Sequence, residues 1–317
     1  MPKLVNAIAK AAGIADKAVC DTLHAGLGDT GAAHALVLLV SVLAISWAAP
    51  LVRFSTAPAL AISFWRLAFS VVLIAGVLTA RGEWGALRRL SRGDLATAAL
   101  AGVFLAGHFA TWIASIGLTS VAASVVLVST APIFVAVLSA LFLREQPGRR
   151  QWAGILLAVA GAAWIGWGDF RGGADPLRGD LLALAGAVLV AGYYVIGRRL
   201  RARIDLWPFV GVVYGCAALA LLPVMLIADV ALAGYAPREW AVFAGLAAGP
   251  MLVGHTGQNW ALRYLPAYVV NLSLLGEPVG ATLIAWLLPA IAEAPPPAAL
   301  AGGGLILCGI LLGVGRR

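Results

Sequence analysis

Glu277 sits in the run Leu274-Leu275-Gly276-Glu277-Pro278, an acid inside a long apolar stretch with a proline directly after it. Proline removes a backbone donor and clashes with the preceding turn, so a helix here opens beside the carboxylate. Burial disfavours the charged form of a carboxyl, which suits either proton exchange or the binding of an amine. A protonated Glu277 bridging two helices is the equally weighted structural alternative. Arg66, in Phe64-Trp65-Arg66-Leu67, is the basic counterpart. Its insertion at a helix centre costs about 2.5–3.5 kcal/mol, so it needs a partner. Helix-end carbonyls or a neighbouring side chain are the expected partners, and the carboxylate of a solute is the alternative.

His108 and Trp112 stand four residues apart, on one face of a helix. His255 and Gln258 stand three apart, followed by Asn259 and Trp260. These pairs could ring a polar cavity or make ordinary interhelical hydrogen bonds, and the cavity is preferred. Trp47, Tyr193, Tyr214, Asn271 and Ser273 are further candidates for its lining. Aromatic rings offer apolar bodies with polar handles, useful for amphiphilic solutes and cations. The same residues also anchor helices at membrane interfaces, which is how Trp84, Trp152, Trp207 and Trp240 are read. Two lone histidines on different helices do not form a metal site, and no cofactor motif is present. Gly302-Gly303-Gly304 opens no phosphate loop, since no Lys-Ser/Thr follows it. Cys20, Cys216 and Cys308 match neither a metal spacing nor a disulfide framework.

The elements that must carry these residues are membrane-spanning helices. Hydrophobic residues make up 62% of the chain and charged residues only 11%. Soluble domains average roughly 45–50% and 25%, so a soluble fold is excluded. The apolar runs show no strand-like alternation, and helices rather than a barrel must satisfy the backbone in lipid. Runs and breaks give ten spans, near 34–54, 58–80, 96–116, 120–143, 150–168, 180–198, 207–229, 240–262, 266–292 and 298–315. Seventeen lysines and arginines fall at one set of span ends and tails, against four at the other. The positive-inside rule therefore places both termini in the cytoplasm. The net charge of +8 follows from these clusters and does not point to nucleic acid.

The halves repeat at an offset of 146 residues: Trp47 falls over Tyr193, Pro132 over Pro278, and Trp112 over Gln258. After a two-residue slip Gly154 falls over Gly302 and Gly161 over Gly309. Each glycine pair lines one helix face and predicts close helix packing. Pro132 and Pro278 mark equivalent helix breaks. Five spans per half is an odd number, so the second half must enter the membrane upside down. The expected fold is all-α integral membrane, ten transmembrane helices as two inverted five-helix repeats. Residues 34–168 form the first repeat, 169–179 an extracytoplasmic linker, and 180–317 the second repeat. Residues 1–33 form a cytoplasmic extension, read either as an interfacial amphipathic helix or as a partly ordered tail. They lack the compact apolar core and cleavage site of a signal peptide. Inverted repeats are characteristic of secondary transporters, with the site near the midplane at the repeat interface.

Several stretches together carry a family resemblance. The first half contains His108-Phe109-Ala110-Thr111-Trp112-Ile113-Ala114-Ser115, Leu118-Thr119-Ser120-Val121-Ala122, Ser129-Thr130-Ala131-Pro132 and Leu143-Arg144-Glu145-Gln146-Pro147. The second contains Ala261-Leu262-Arg263-Tyr264-Leu265-Pro266-Ala267 and Leu275-Gly276-Glu277-Pro278-Val279. Over residues 34–316 the chain resembles the EamA-type drug/metabolite transporter superfamily. The resemblance implies an inner-membrane carrier that exports amino acids or other small metabolites. It also implies a central cavity lined by spans one, three, four, six, eight and nine. Residues 1–33 depart from the family pattern. Uptake or exchange of sugar-linked metabolites is the alternative carrier reading. An intramembrane enzyme or a scaffold is the reading from another class. The expected partners are a small-molecule substrate and the lipid bilayer, with monomer and homodimer both open.

Overall fold

The computed structural model describes residues 17–119, 121–166, 174–287 and 297–314. All of the regular structure among them is helical. The first half comprises α1 (Lys17–Ser46), α2 (Ala48–Arg53), α3 (Ala59–Arg81), α4 (Trp84–Arg88), α5 (Arg92–Ile116), α6 (Val121–Val128), α7 (Ala131–Phe142) and α8 (Arg149–Gly166). The second comprises α9 (Pro176–Arg201), α10 (Leu206–Ile227), α11 (Pro237–Leu246), α12 (Thr256–Ala261), α13 (Ala267–Ser273), α14 (Glu277–Leu287) and α15 (Pro297–Val314).

Among the described residues eight helices are long and apolar enough to cross a membrane. The expected spans at 150–168 and 240–262 are not among them. In the first case α8 opens on Arg149, Arg150 and Gln151, which dilute an 18-residue helix. In the second, Ala247–His255 winds as a π-helix between α11 and α12 and carries Pro250 within it. Proline breaks the ordinary hydrogen-bond ladder, and a wider turn absorbs the lost bond. The helix α1 runs unbroken from Lys17 into the first span, while residues 1–16 of the extension lie outside the described residues. Local caps start the long helices: the Ser91 hydroxyl accepts the Asp94 N–H at 3.0 Å, and Asp175 accepts that of Arg178 at 3.3 Å.

Helix breaks fall beside Pro132 and Pro278. Thr130 and Ser129 separate α6 from α7 just before Pro132, and a 3₁₀ turn at Leu274–Gly276 separates α13 from α14 just before Pro278. The glycine faces also meet as the sequence predicts. A Cβ on Gly161 would stand 2.6 Å from the Gly302 carbonyl oxygen, and one on Gly309 would stand 2.6 Å from that of Gly154. Only glycine lets α8 and α15 approach this closely. Outside, Leu39, Val72, Leu141, Phe142, Leu219, Ile227 and Leu311 are exposed. An apolar belt of this extent suits lipid rather than water.

Several helix contacts recur when the two halves are exchanged. The helix α8 lies along α15, and α3 along α10. Contact of α5 with α9 is matched by contact of the π-helix and α12 with α1. Contact of α5 with α10 is matched by that of the π-helix with α3.

Candidate functional site

Polar side chains converge where α3, α5, α9, α10, α12 and the π-helix meet. From α5 come His108, Phe109 and Trp112. His108 Nδ1 lies 2.9 Å from the Gly186 carbonyl on α9. A carbonyl only accepts, so Nδ1 carries the proton and Nε2 remains an acceptor. The lack of a side chain at Gly186 brings α9 near enough for this bond, since a Cβ there would lie 3.2 Å from Thr111 Oγ1. The His108 and Trp112 rings are parallel at 6.1 Å, as their i, i+4 spacing suggests.

Phe109 links the two halves. Its ring receives the Arg66 guanidinium carbon at 4.4 Å from the centroid on one contact. On another it meets His255 edge-on at 5.9 Å. Arg66 is only 2% exposed, and among the described residues its Nε has no hydrogen-bond partner. A cation over an aromatic face is partial compensation, on the order of 2 kcal/mol when desolvated.

The second half supplies a hydrogen-bonded polar layer. Asn259 Nδ2 donates to the Tyr193 hydroxyl and, at 2.8 Å, to the His255 carbonyl. Tyr214 and Thr256 hydroxyls lie 3.3 Å apart, and Thr256 also donates to the Met251 carbonyl. That carbonyl belongs to the π-helix, where the widened ladder makes such a bond accessible. Tyr194 packs edge-on to Tyr193 at 5.2 Å. Asn271 and Ser273 are buried on α13, and Ser273 Oγ donates to the Val270 carbonyl. Glu277 opens α14 and is half-buried, with its backbone carbonyl accepting from Ser46 Oγ at 3.3 Å. Trp47 follows Ser46 but is 42% exposed.

This layer is far from saturated. Nine buried side-chain polar atoms lack a hydrogen-bond partner among the described residues, and seven belong here: Arg66 Nε, Trp112 Nε1, Tyr194 hydroxyl, His255 Nδ1, both ends of Gln258, and Asn259 Oδ1. More than about 90% of buried polar groups in folded proteins are satisfied, so such a concentration is unusual. Buried groups held ready to donate and accept are what a polar solute needs. Among the described residues no group of three or more His, Cys, Asp or Glu could hold a metal.

Sequence reasoning overlooked Phe109 and Tyr194. Each adjoins a chosen residue, and neighbours on a helix point about 100° apart. The signal was that α5 and α9 are apolar almost all round, which marks helices buried on several faces.

At the arginine-rich end the chemistry is different. Arg198 pairs with Glu145 at 2.7 Å and donates to the Leu262 carbonyl at 2.8 Å. Arg263 pairs with Asp205 at 3.0 Å. Two surface pockets of about 460 and about 310 Å³ open among these side chains, the first lined by Glu145, Arg198, Arg199 and Arg263 and the second by Arg89, Asp94 and Arg203. They lie at the mouth of the bundle rather than at the orphaned polar cluster.

A multi-pass helical bundle around such a polar interior defines a membrane transporter rather than an enzyme. The EamA-like transporter family matches residues 32–167 and again 177–314, and the chain belongs to that family. It is 32% identical over 199 residues to a probable terminal-alkyne amino-acid exporter from Streptantibioticus cattleyicolor, covering 60% of this chain and 63% of the relative. The match thus spans just under two thirds of that relative's length. An uncharacterized transporter of Bacillus subtilis, YdfC, is 30% identical over 213 residues, covering 65% of this chain and 67% of the relative. A protein crystal structure shares the fold with a TM-score of 0.75 at 21% identity, covering 89% of this chain and 96% of that one.

Proposed function

We propose that this transporter is a secondary carrier that exports amino acids or related amines across the inner membrane by alternating access. The observation that carries the reading is the cluster of buried polar atoms without a partner among the described residues around Arg66, Trp112, His255 and Gln258, drawn from both halves of the chain. Ten spans in two inverted halves, 34–168 and 180–317, are the architecture that goes with it. The same family matching twice, the equivalent breaks at Pro132 and Pro278, and the self-mapping helix contacts all support that architecture. The reciprocal glycine contacts support it too, since exchanging the halves carries Gly161–Gly302 onto Gly309–Gly154.

In this reading one half rocks against the other and exposes the cluster to each side in turn. Glu277, at the start of a helix segment beside a broken turn, is the group placed to exchange a proton for substrate. Cytoplasmic termini follow from the arginine distribution. Amino acids come first among substrates because the cluster sets a buried cation beside unpartnered amide and ring groups, and the name of the Streptantibioticus relative agrees.

The test is transport into proteoliposomes from a panel of amino acids and amines, with and without an imposed pH gradient. Accumulation that follows the gradient, and loses that dependence in Glu277→Gln, is the expected result. Gradient-driven transport that is unchanged in this variant would remove Glu277 from the coupling step.

A further inference from the structure

Arg66 stands about two turns into α3, a regular helix that places it inside the bundle, 2% exposed. None of the ion pairs among the described residues includes it, and its Nε has no hydrogen-bond partner among them. What the chain does supply is an aromatic face. The guanidinium carbon lies 4.4 Å from the centroid of Phe109, which is itself 1% exposed on α5. The ring attracts the charge through its quadrupole, yet it offers no lone pair to the Nε–H. Phe109 also meets His255 edge-on at 5.9 Å, and α3 packs against the π-helix that ends in His255. One ring therefore joins Arg66 of the first half to His255 of the second. His255 Nδ1 is also buried without a hydrogen-bond partner among the described residues. So are both ends of Gln258, one turn onward on the same helix side.

A buried cation without a counter-charge is strongly destabilising, and a ring compensates it only in part. A carboxylate supplies what is missing: two acceptor oxygens that match the planar guanidinium fork, carrying a full opposite charge. A neutral polar group would answer the Nε–H but leave the charge uncompensated. An ammonium would add a like charge to the site. We propose that Arg66 is the carboxylate-binding residue of the carrier, with Phe109 as the positioning residue that holds its guanidinium. This deepens the carrier reading above and rests on it. It makes the acid function of the solute, rather than its amine or its side chain, the part recognised by Arg66.

The experiment uses the full chain in proteoliposomes and counterflow of labelled L-leucine, L-methionine, L-phenylalanine and L-tryptophan. Unlabelled competitors are each parent amino acid, its 2-hydroxy acid (carboxylate kept, ammonium lost) and its methyl ester (ammonium kept, carboxylate lost). The ester should compete about 30-fold or more weakly than the parent, because it leaves the arginine buried and unpaired. The hydroxy acid should compete better than the ester. In Arg66→Gln the gap between ester and parent should close, whereas loss of a purely structural arginine would weaken all competitors alike. Arg66→Lys keeps the charge without the fork and should retain part of the preference. Phe109→Leu should raise KM for the amino acid more than it lowers kcat, and leave competition by the ester unchanged. An ester that competes as well as its parent in the unaltered protein overturns the assignment, whether or not the variants fold. A preference for the carboxylate that survives in Arg66→Gln overturns it as well. Transport of amines with none of the amino acids would overturn the site and leave the carrier standing. Failure of every solute class to move would overturn the carrier reading and the site together.

Discussion

Arg203 pairs with Asp94 and so ties the end of α9 to the first turn of α5. At the opposite end of the bundle Glu239, in the first turn of α11, accepts from the Ser55 hydroxyl and from the Thr56 backbone N–H and hydroxyl, at 2.9 and 3.0 Å for the latter two. Each latch joins the segment just after the opening helices of one half to the start of the third span of the other. In the alternating-access mechanism proposed above, one would open as the other closes. The two differ in chemistry: one is a partly exposed ion pair, the other a buried carboxylate held by neutral donors.

The hydrogen bond from Ser55, followed by the Thr56 N–H, holds the Glu239 carboxyl below its ordinary value of 4.5. A depressed carboxyl stabilises the fold above the unfolded value, and that contribution is lost as the pH falls through the lower folded value. Thermal unfolding in detergent should therefore show the protein more stable than Glu239→Gln at neutral pH. The gap should narrow once the pH drops below about 4.5. A gap that is flat across the acid range would contradict this account.

The Arg203–Asp94 pair is expected to matter for transport more than for stability, since exposed pairs contribute only about 0–1 kcal/mol. Asp94→Arg should leave the unfolding midpoint within a few degrees but slow transport several-fold. Adding Arg203→Asp should recover most of the rate, and a reversed pair with no recovery would count against a latch.

Alanine at Gly161 or Gly309 must displace a carbonyl 2.6 Å away. Overpacking of this kind costs about 1–3 kcal/mol and should lower the unfolding midpoint of either variant. Gly304, with nothing within 4 Å of its would-be Cβ, is the matched control and should tolerate alanine.

Both ends of the Gln258 side chain are buried without hydrogen-bond partners among the described residues. Replacing it with methionine removes that desolvation penalty at similar volume, so Gln258→Met should raise stability by about 1 kcal/mol. The same variant should transport more slowly if Gln258 meets substrate. A gain in stability with full activity would make Gln258 a bystander.

Much of the fold was legible because hydropathy is additive along the chain. Runs of apolar residues have to become helices in lipid, whatever lies beside them. The reading was least direct where local chemistry was mixed, at Arg149-Arg150-Gln151 and around Pro250, and there the helices are diluted or rewound. His108, Trp112, His255, Gln258 and Glu277 stood out because polar groups in apolar runs are conspicuous. The surroundings of Arg66 were not legible, since its nearest aromatic surface, Phe109, lies on another helix.

The sequence by itself determined a multi-pass helical membrane protein, the helix breaks before Pro132 and Pro278, and the glycine faces of α8 and α15. Those properties depend on composition, ring geometry and side-chain size within a few turns of helix. Only the tertiary structure decided which polar groups meet, which are satisfied and which stay apart. His108 finds Gly186 and Asn259 finds Tyr193, while among the described residues Arg66 Nε and both ends of Gln258 find no hydrogen-bond partner. Such relationships depend on how each helix is rotated and how closely it approaches its neighbours. That is settled by packing between segments distant in sequence, for which hydropathy carries no record.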